Sequence, residues 1–349
     1  MPRIIVAGAG VVGASIAYHL ALAGARGVVL CDREHVGAGA TSKGMGGVRQ
    51  QFSTAAEVAL ARESIAFFEQ LGEPYFEQVG YLFLATTLAG LAELEDRRAL
   101  QASHGVPVER IDAAYVPGLR VDDVVGAVVG RKDGVGSPLD VARELVRRGR
   151  ELGVDVREAT PAEELDADVL VIACGVWSPE LGARHGVELP IRPLCRQLLA
   201  TQPLDLPPDL PMTIEAETGF HFRRRGDRLV LAMHDPEPRW TWETRVDESL
   251  FGDRLARLGH RYPPAAQARV EDAWAGLYDM TPDAHPIIGR VADGVYVAAG
   301  FSGHGFMQSP AVGRALAELI LTGRSSLDLE PYALERFAAG ATTVEVSVL

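Results

Sequence analysis

Two glycine-rich strand-to-helix turns stand at opposite ends of one chain, RIIVAGAGVVG from Arg3 to Gly13 and GVYVAAGFSGHGFM from Gly294 to Met307. Turns of this kind present backbone N–H groups at a helix start, so the pair predicts a nucleotide site assembled from both termini. In the first turn Gly8 allows the tight bend, Gly10 lets backbone approach a pyrophosphate, and Gly13 lets the helix lie close to the strand. Ile16 and Leu20 then recur at helical spacing until Gly24 closes the helix. A second strand, VVLCD from Val28, ends on Asp32, about twenty residues further on, where a carboxylate reaches ribose hydroxyls. A lone GxGxxG is a weak signal; strand, helix, second strand and acid in this order make a stronger one.

Composition narrows the classes. At 349 residues the chain is long enough for about two domains with a core each. No run of eighteen apolar residues occurs, so neither a membrane span nor a secretory signal is expected. A net charge of −13 argues against a nucleic-acid partner, which clustered cations would have to hold. Cys31, Cys174 and Cys195 form no CxxC and no metal-ligand spacing, which predicts a reduced cytoplasmic protein without zinc or structural disulfides. Lysine is scarce: Lys43 and Lys132 are the only two.

Along the chain, a glycine-rich loop without periodicity, GAGATSKGMGGVRQQFS, fills residues 37–53, and loops of this length are functional or disordered. Helical spacing covers Ala55 to Leu71 and about Leu91 to Ser103, with an apolar run, GYLFLAT, between them. Ser137 is placed to cap a helix whose first turn holds Pro138. Strands GVDVREA and ADVLVIACG then return to the sheet that the first turn opened. From Pro190 to Trp274 short alternating strands such as FHFRR and RLVLAMH predict an inserted antiparallel domain, after which TPDAHPIIG leads back. No second GxGxxG offers a separate nicotinamide domain, and the tail from Thr342 to Leu349 has no assigned role.

GAGVVG, TSKGMGGVRQQF, CGVWSPEL at Cys174, GLYDMTPDAHPIIG from Gly276 and AAGFSGHGFMQSPAVGRALAELI from Ala298 together resemble the FAD-dependent amine oxidoreductases that include D-amino-acid oxidase, glycine oxidase and sarcosine oxidase. The resemblance runs over nearly the whole chain and is strongest to the sarcosine oxidase β-subunit and amino-acid dehydrogenase branch. It implies an α/β fold: a discontinuous Rossmann-like FAD-binding domain at 1–77, 134–190 and 284–349, with an inserted, mainly antiparallel substrate domain at 78–133 and 191–283. It implies oxidation of a C–N bond in a small amino acid or secondary amine, with FAD held noncovalently, since Gly276 stands where covalent relatives carry the tethering cysteine.

The same resemblance assigns cofactor contacts to Gly8, Ala9, Gly10, Val11, Val12 and Gly13, to Asp32 and Arg33, to Thr41 and Ser42, and to Gly46 and Gly47. It adds Val156, Cys174, Gly175 and Trp177, and at the closing turn Gly300, Ser302, Gly303, His304, Gly305, Phe306 and Met307. Ser309 and Pro310 are expected to start the closing helix, whose positive end would face the flavin edge that becomes negative on reduction. On the substrate side the assigned residues are Arg49, His221 and His234; each histidine is open to a second reading as a structural one, and Arg49 to one as an interdomain ion pair. His285 is expected in packing or turn chemistry.

Several positions depart from the family pattern. Phe52 and Met307 stand where sarcosine oxidases carry two ligands of the substrate carboxylate, leaving Arg223 or Arg225 as replacements. Val230 stands where those oxidases carry the lysine that promotes reaction with oxygen, which leans toward a dehydrogenase with another electron acceptor. The link between Val156 and Ala167 is short, trimming the cover over the adenine half of the cofactor. Two rival readings stand beside the amine oxidoreductase: an electron-transferring or non-catalytic subunit or assembly factor of the same fold within a larger complex, and an NAD-dependent dehydrogenase.

Overall fold

Ile4–Ala7 is apolar at every position, and that pattern belongs to a strand covered on both faces. In the computed structural model, which describes residues 2–340, 342–346 and 348, this strand lies inside a six-stranded sheet. Its neighbours are Val28–Cys31 on one side and Val169–Ile172 on the other, both parallel. Asp155–Arg157 and Val295–Ala299 extend the parallel array, and Ile287–Ala292 closes one edge antiparallel.

Successive side chains point to opposite faces, so the strand divides its residues between two cores. Ile4 and Val6 pack with the helices Val11–Leu22, Pro138–Glu151 and Gly305–Thr322, through residues such as Ile16, Val141 and Val312. Ile5 and Ala7 pack on the other face with Leu181, Leu189 and Ile287.

The second sheet has eight strands in the order Val270–Met280, Arg192–Thr201, Arg228–Ala232, His221–Arg225, Met212–Glu215, Tyr81–Ala85, Gly126–Gly130 and Val108–Ile111. It is antiparallel except where Met212–Glu215 runs parallel to Tyr81–Ala85. The sheet therefore draws strands from two separate stretches of sequence; the switch in strand pattern at Pro190 marks only the second of them, and Tyr81–Ala85, Val108–Ile111 and Gly126–Gly130 come from the first. Two of them, of ten and eleven residues, are much longer than the short strands expected between 190 and 274.

A three-stranded sheet of Gly47–Val48, Gly134–Gly136 and Phe76–Glu77 joins these parts and has no counterpart in the sequence reading. It gives the glycine-rich loop a fixed path: a short 3-10 turn at Ala40–Lys43, then a strand at Gly47–Val48. Glycine is required there by space, because a Cβ on Gly46 would lie 2.1 Å from the Gly136 carbonyl oxygen.

The helix Ala55–Leu71 has the predicted bounds, with Thr54 accepting from the Glu57 N–H as its N-cap. Ser137 caps Pro138–Glu151 as expected, accepting from Asp140 N–H at 3.3 Å. The closing helix differs from its expectation. It begins at Gly305 rather than at Ser309, and Pro310 lies inside it. Proline there deprives the Phe306 carbonyl of its usual partner, and the Ser309 hydroxyl donates to that carbonyl at 2.9 Å instead. No helix among the described residues is long and apolar enough to cross a membrane.

Candidate active site

The two glycine turns face one another across a cleft of about 670 Å³ between the six-stranded and eight-stranded sheets. Its volume is that of a cavity that buries most of a ligand. The opening turn contributes Gly8, Gly10, Val11 and Val12 to the lining, followed by Asp32, Arg33 and Thr41. Asp32 holds the turn: its carboxylate accepts from Ala9 N–H at 2.7 Å and from Glu34 N–H at 2.9 Å. Each carboxylate oxygen has a second acceptor position, so the same group can still receive a ribose hydroxyl. The Thr41 hydroxyl accepts from Val11 N–H at 3.0 Å, which ties the glycine-rich loop to the helix start.

Cys174, Gly175 and Trp177 line the same space. Gly175 sits at φ +53° with nothing within 4 Å of where a Cβ would point, a cradle left open toward a ligand. The Cys174 thiol is pushed up to about 12 by burial, so it lines the cleft without nucleophilic character.

At the far end stand Gly303, His304, Gly305, Phe306 and Met307, the start of the closing helix. The turn before it is held by Asp279, which accepts from Gly300 N–H at 2.7 Å. Burial raises the Asp279 carboxyl to about 6 against the backbone N–H groups of Phe301, Gly300 and Ser302, which pull it down. Ser302 takes the left-handed conformation at φ +52° and accepts from Thr281 N–H at 3.2 Å.

Arg49 is buried, 1% exposed, on the wall near that helix start. Its guanidinium donates to the Gln51 carbonyl, lies 3.4 Å from His304 Nε2, and covers the Phe52 ring at 4.2 Å. Burial lowers its proton affinity, while the charges of Tyr81, Glu345 and Asp133 raise it. A polar network behind it fixes the RQQF segment. Asp133 accepts from the Gln50 N–H and side-chain amide at 3.0 Å each and from the Gln51 amide at 3.0 Å. Nothing in the spacing of RQQF signals this network, because Asp133 is 82 residues away from Gln51.

His221 lines the cleft and is buried. Its Nδ1 lies 2.8 Å from the Gly219 carbonyl, so the neutral ring donates there and keeps its lone pair on Nε2. Burial depresses its pKa to about 4, against the Gly219 hydrogen bond. His234 sits behind it, not on the cleft wall, and burial lowers its pKa as well. The His234 backbone carbonyl accepts from Arg254 at 2.9 Å, which ties its turn to the helix Phe251–Arg261.

Other expected site residues fall outside the cleft wall. Gly13 is a packing glycine whose added Cβ would lie 1.8 Å from the Gly8 carbonyl oxygen. Val156 pairs with Leu30 at a sheet edge, and the short link after it brings Pro161, Ala162 and Glu163 to the lining instead. Ser42 donates to the Gly39 carbonyl and borders a second surface hollow with Arg228 and Trp274. Gly300 and Ser302 shape the closing turn from behind. Arg223 and Arg225 are not in the cleft either: both donate to the Met45 carbonyl, and so hold the glycine-rich loop from below. Val230 is buried beside Leu198, Ala200 and Met45, one layer away.

The cleft also holds residues that were not among the expected site residues. Tyr81 and Tyr278 line it, and burial raises both phenols. Lys43 lines it too, its stem against Gly276, so the site does contain a lysine. Trp242 and Thr244 reach it from the eight-stranded side. The C-terminal segment is anchored nearby: the buried Glu345 carboxylate accepts from the Ser53 hydroxyl at 2.7 Å and from its N–H at 3.1 Å. His285 Nδ1 lies 2.7 Å from the buried Glu57 carboxyl. Among the described residues no cluster of His, Cys, Asp or Glu could hold a metal ion.

Comparison with known proteins agrees with this geometry. Glycine oxidase of Geobacillus kaustophilus is 29% identical over 95% of this chain and 96% of its own. Human mitochondrial sarcosine dehydrogenase is 24% identical over 96% of this chain, a match that spans 41% of the longer protein. Among solved structures, L-proline dehydrogenase from P. horikoshii superposes with a TM-score of 0.91 at 28% identity, covering 98% of this chain and 99% of its own. Relatives of this kind are amino-acid and amine oxidoreductases, and an enzyme of that class is what the chain resembles along its whole length. Residues 3–319 match the family described as FAD dependent oxidoreductase, and the chain belongs to that family.

Proposed function

We propose that this FAD-dependent oxidoreductase oxidises the C–N bond of a small amino acid or secondary amine, with FAD held noncovalently along the cleft between the two glycine turns. When bound, FAD supplies a hydride acceptor for the carbon next to nitrogen, and water hydrolyses the imine that leaves. The observation that carries the reading is the convergence of Arg49, His304 and the start of the closing helix on one end of the cleft.

The chain's own groups have distinct tasks in this reading. Asp32 and the first turn hold the adenosine and pyrophosphate half, and the residues lining the cleft from Gly303 to Met307 receive the ring system. A helix start carries partial positive charge, and Arg49 adds a full one beside it, so negative charge arising there is stabilised without reorganisation. An ammonium entering beside Arg49 in a desolvated pocket gives up its proton more readily, since burial and a like charge both lower its pKa. The uncharged amine is the form able to release hydride. His221 stays neutral above about pH 4 and offers the lone pair of Nε2 to an N–H of the substrate.

With Phe52 packed edge-on against His304 at 5.1 Å and Met307 in the lining, the usual carboxylate ligands are replaced by apolar groups. Arg49, Tyr81 and Tyr278 are among the polar side chains that line the cleft. The division of strands between the two large sheets supports the proposed units, FAD-binding at 1–77, 134–190 and 284–349 and substrate-binding at 78–133 and 191–283. The electron acceptor is proposed to be a partner other than oxygen, the buried apolar surroundings of Val230 supporting that reading; Lys43 is the competing feature.

An anaerobic screen with glycine, proline, N-methyl amino acids and D-amino acids tests this reading. One class should bleach the flavin absorbance with stoichiometric formation of the carbonyl product. No bleaching with any amine would instead favour the electron-transferring or non-catalytic subunit.

A further inference from the structure

The stretch between Ala232 and Glu248 carries two large aromatics, Trp240 and Trp242, 47% and 56% exposed. Exposed loop tips are usually small and polar, so a tryptophan pair in water asks for a function. The stems of this loop are fixed. Arg239 donates to Asp235 at 2.9 Å, to the Arg245 carbonyl at 2.6 Å and to Gln197 at 3.2 Å. Gln197 also exchanges hydrogen bonds with the Asp247 backbone at 2.8 and 3.2 Å. Both stems are thus tied to the strand Arg192–Thr201, and only the tip between them projects.

The tip crosses from one half of the molecule to the other. Trp242 lines the cleft, its ring centroid 6.2 Å from that of Trp177 and tilted by 37°. Trp177 follows the strand Val169–Ile172 of the six-stranded sheet, and the Arg33 guanidinium lies 4.8 Å from its ring centroid. Arg33 is the neighbour of Asp32, so the ladder Arg33, Trp177, Trp242 stands over the Asp32 end of the cleft. This is the end where the link from Val156 to Ala167 is short and contributes Pro161, Ala162 and Glu163 to the wall. Trp240 faces elsewhere, under the Arg192 guanidinium at 4.7 Å.

We propose that Trp242 is a latch on the cofactor: it closes over the adenosine half of FAD beside Trp177, bridges the two sheets, and sets how fast the dinucleotide is released. The chemistry is that of a flat, electron-rich ring meeting a nucleobase or the edge of a ribose, worth about tenfold in affinity for one aromatic contact. The inference depends on FAD occupying the cleft and not on which amine is oxidised.

The test is the release of FAD from the holoenzyme on dilution, followed by the rise in flavin fluorescence, and the reloading of the released protein with FAD or with FMN. Trp242→Ala should release FAD about tenfold faster. Trp242→Phe should restore most of the retention, and Trp240→Ala should leave it unchanged. FMN, which lacks the adenosine half, should bind wild type and Trp242→Ala equally. Unchanged FAD release in Trp242→Ala would overturn the latch, as would equal weakening of FAD and FMN, or the same acceleration in Trp240→Ala.

Discussion

At the scale of single residues, Arg49 places a charge in a buried position on the cleft wall. Arg49 is buried against Phe52 and His304 where the closing helix begins, and its charge is already aligned before any reaction. Removing one such preorganised group costs about 10²–10³ in rate. Arg49→Ala should therefore keep FAD but slow flavin bleaching by about that factor in anaerobic stopped-flow mixing; an unchanged rate would remove Arg49 from the site. His221 gives a prediction in pH. Its folded pKa of about 4 lies below the ordinary histidine value, so the unfolded chain binds the proton that the folded one refuses. That contribution to stability is present above about pH 6.5 and is lost as pH falls toward 4. Between pH 7 and pH 4 the melting temperature of wild type should drop more than that of His221→Asn; parallel curves would contradict the assignment. Much of the glycine cradle was legible from residue type alone, because only glycine tolerates such approach. Tyr81, Tyr278 and Asp279 were not, since a strand pattern tells which face a residue takes but not what lies opposite.

At the scale of elements, periodicity located the long helices and the parallel strands, whose apolar runs admit few other readings. It misplaced the start of the closing helix. Pro310 reads as a first-turn proline, yet it lies a turn and a half inside the helix, with the Ser309 hydroxyl on the orphaned Phe306 carbonyl. Ser309→Ala should leave that carbonyl with no donor and lower stability by about 1–3 kcal/mol. A thermal melt of the holoenzyme reads this; an unchanged melting temperature would mean the carbonyl finds another partner. Strands of two or three residues, such as Gly47–Val48, carry no detectable period, and so the small sheet that steadies the Arg49 loop was invisible beforehand. The Asp133 network escaped for a related reason: its members meet only through the folded chain.

At the scale of the molecule, two large sheets face a single cleft, and each supplies one wall. The six-stranded sheet brings the glycine turns that line the cleft at its strand ends, the place where open parallel sheets bind ligands. The eight-stranded sheet brings His221, Tyr278 and the Trp242 loop. The resemblance in the opening and closing motifs carried this architecture, and the switch from apolar runs to alternating strands marked where the second sheet resumes after Pro190, not where it enters at Tyr81–Ala85. What sequence could not give was the seating of the final segment, where Glu345 accepts from Ser53 across 292 residues. The central claim, that hydride passes from the carbon beside nitrogen to FAD in this cleft, is tested most directly by the anaerobic bleaching rate with a substrate deuterated at that carbon. The account predicts bleaching slowed severalfold relative to the protiated amine. Equal rates, with chemistry shown to be the observed step, would contradict it.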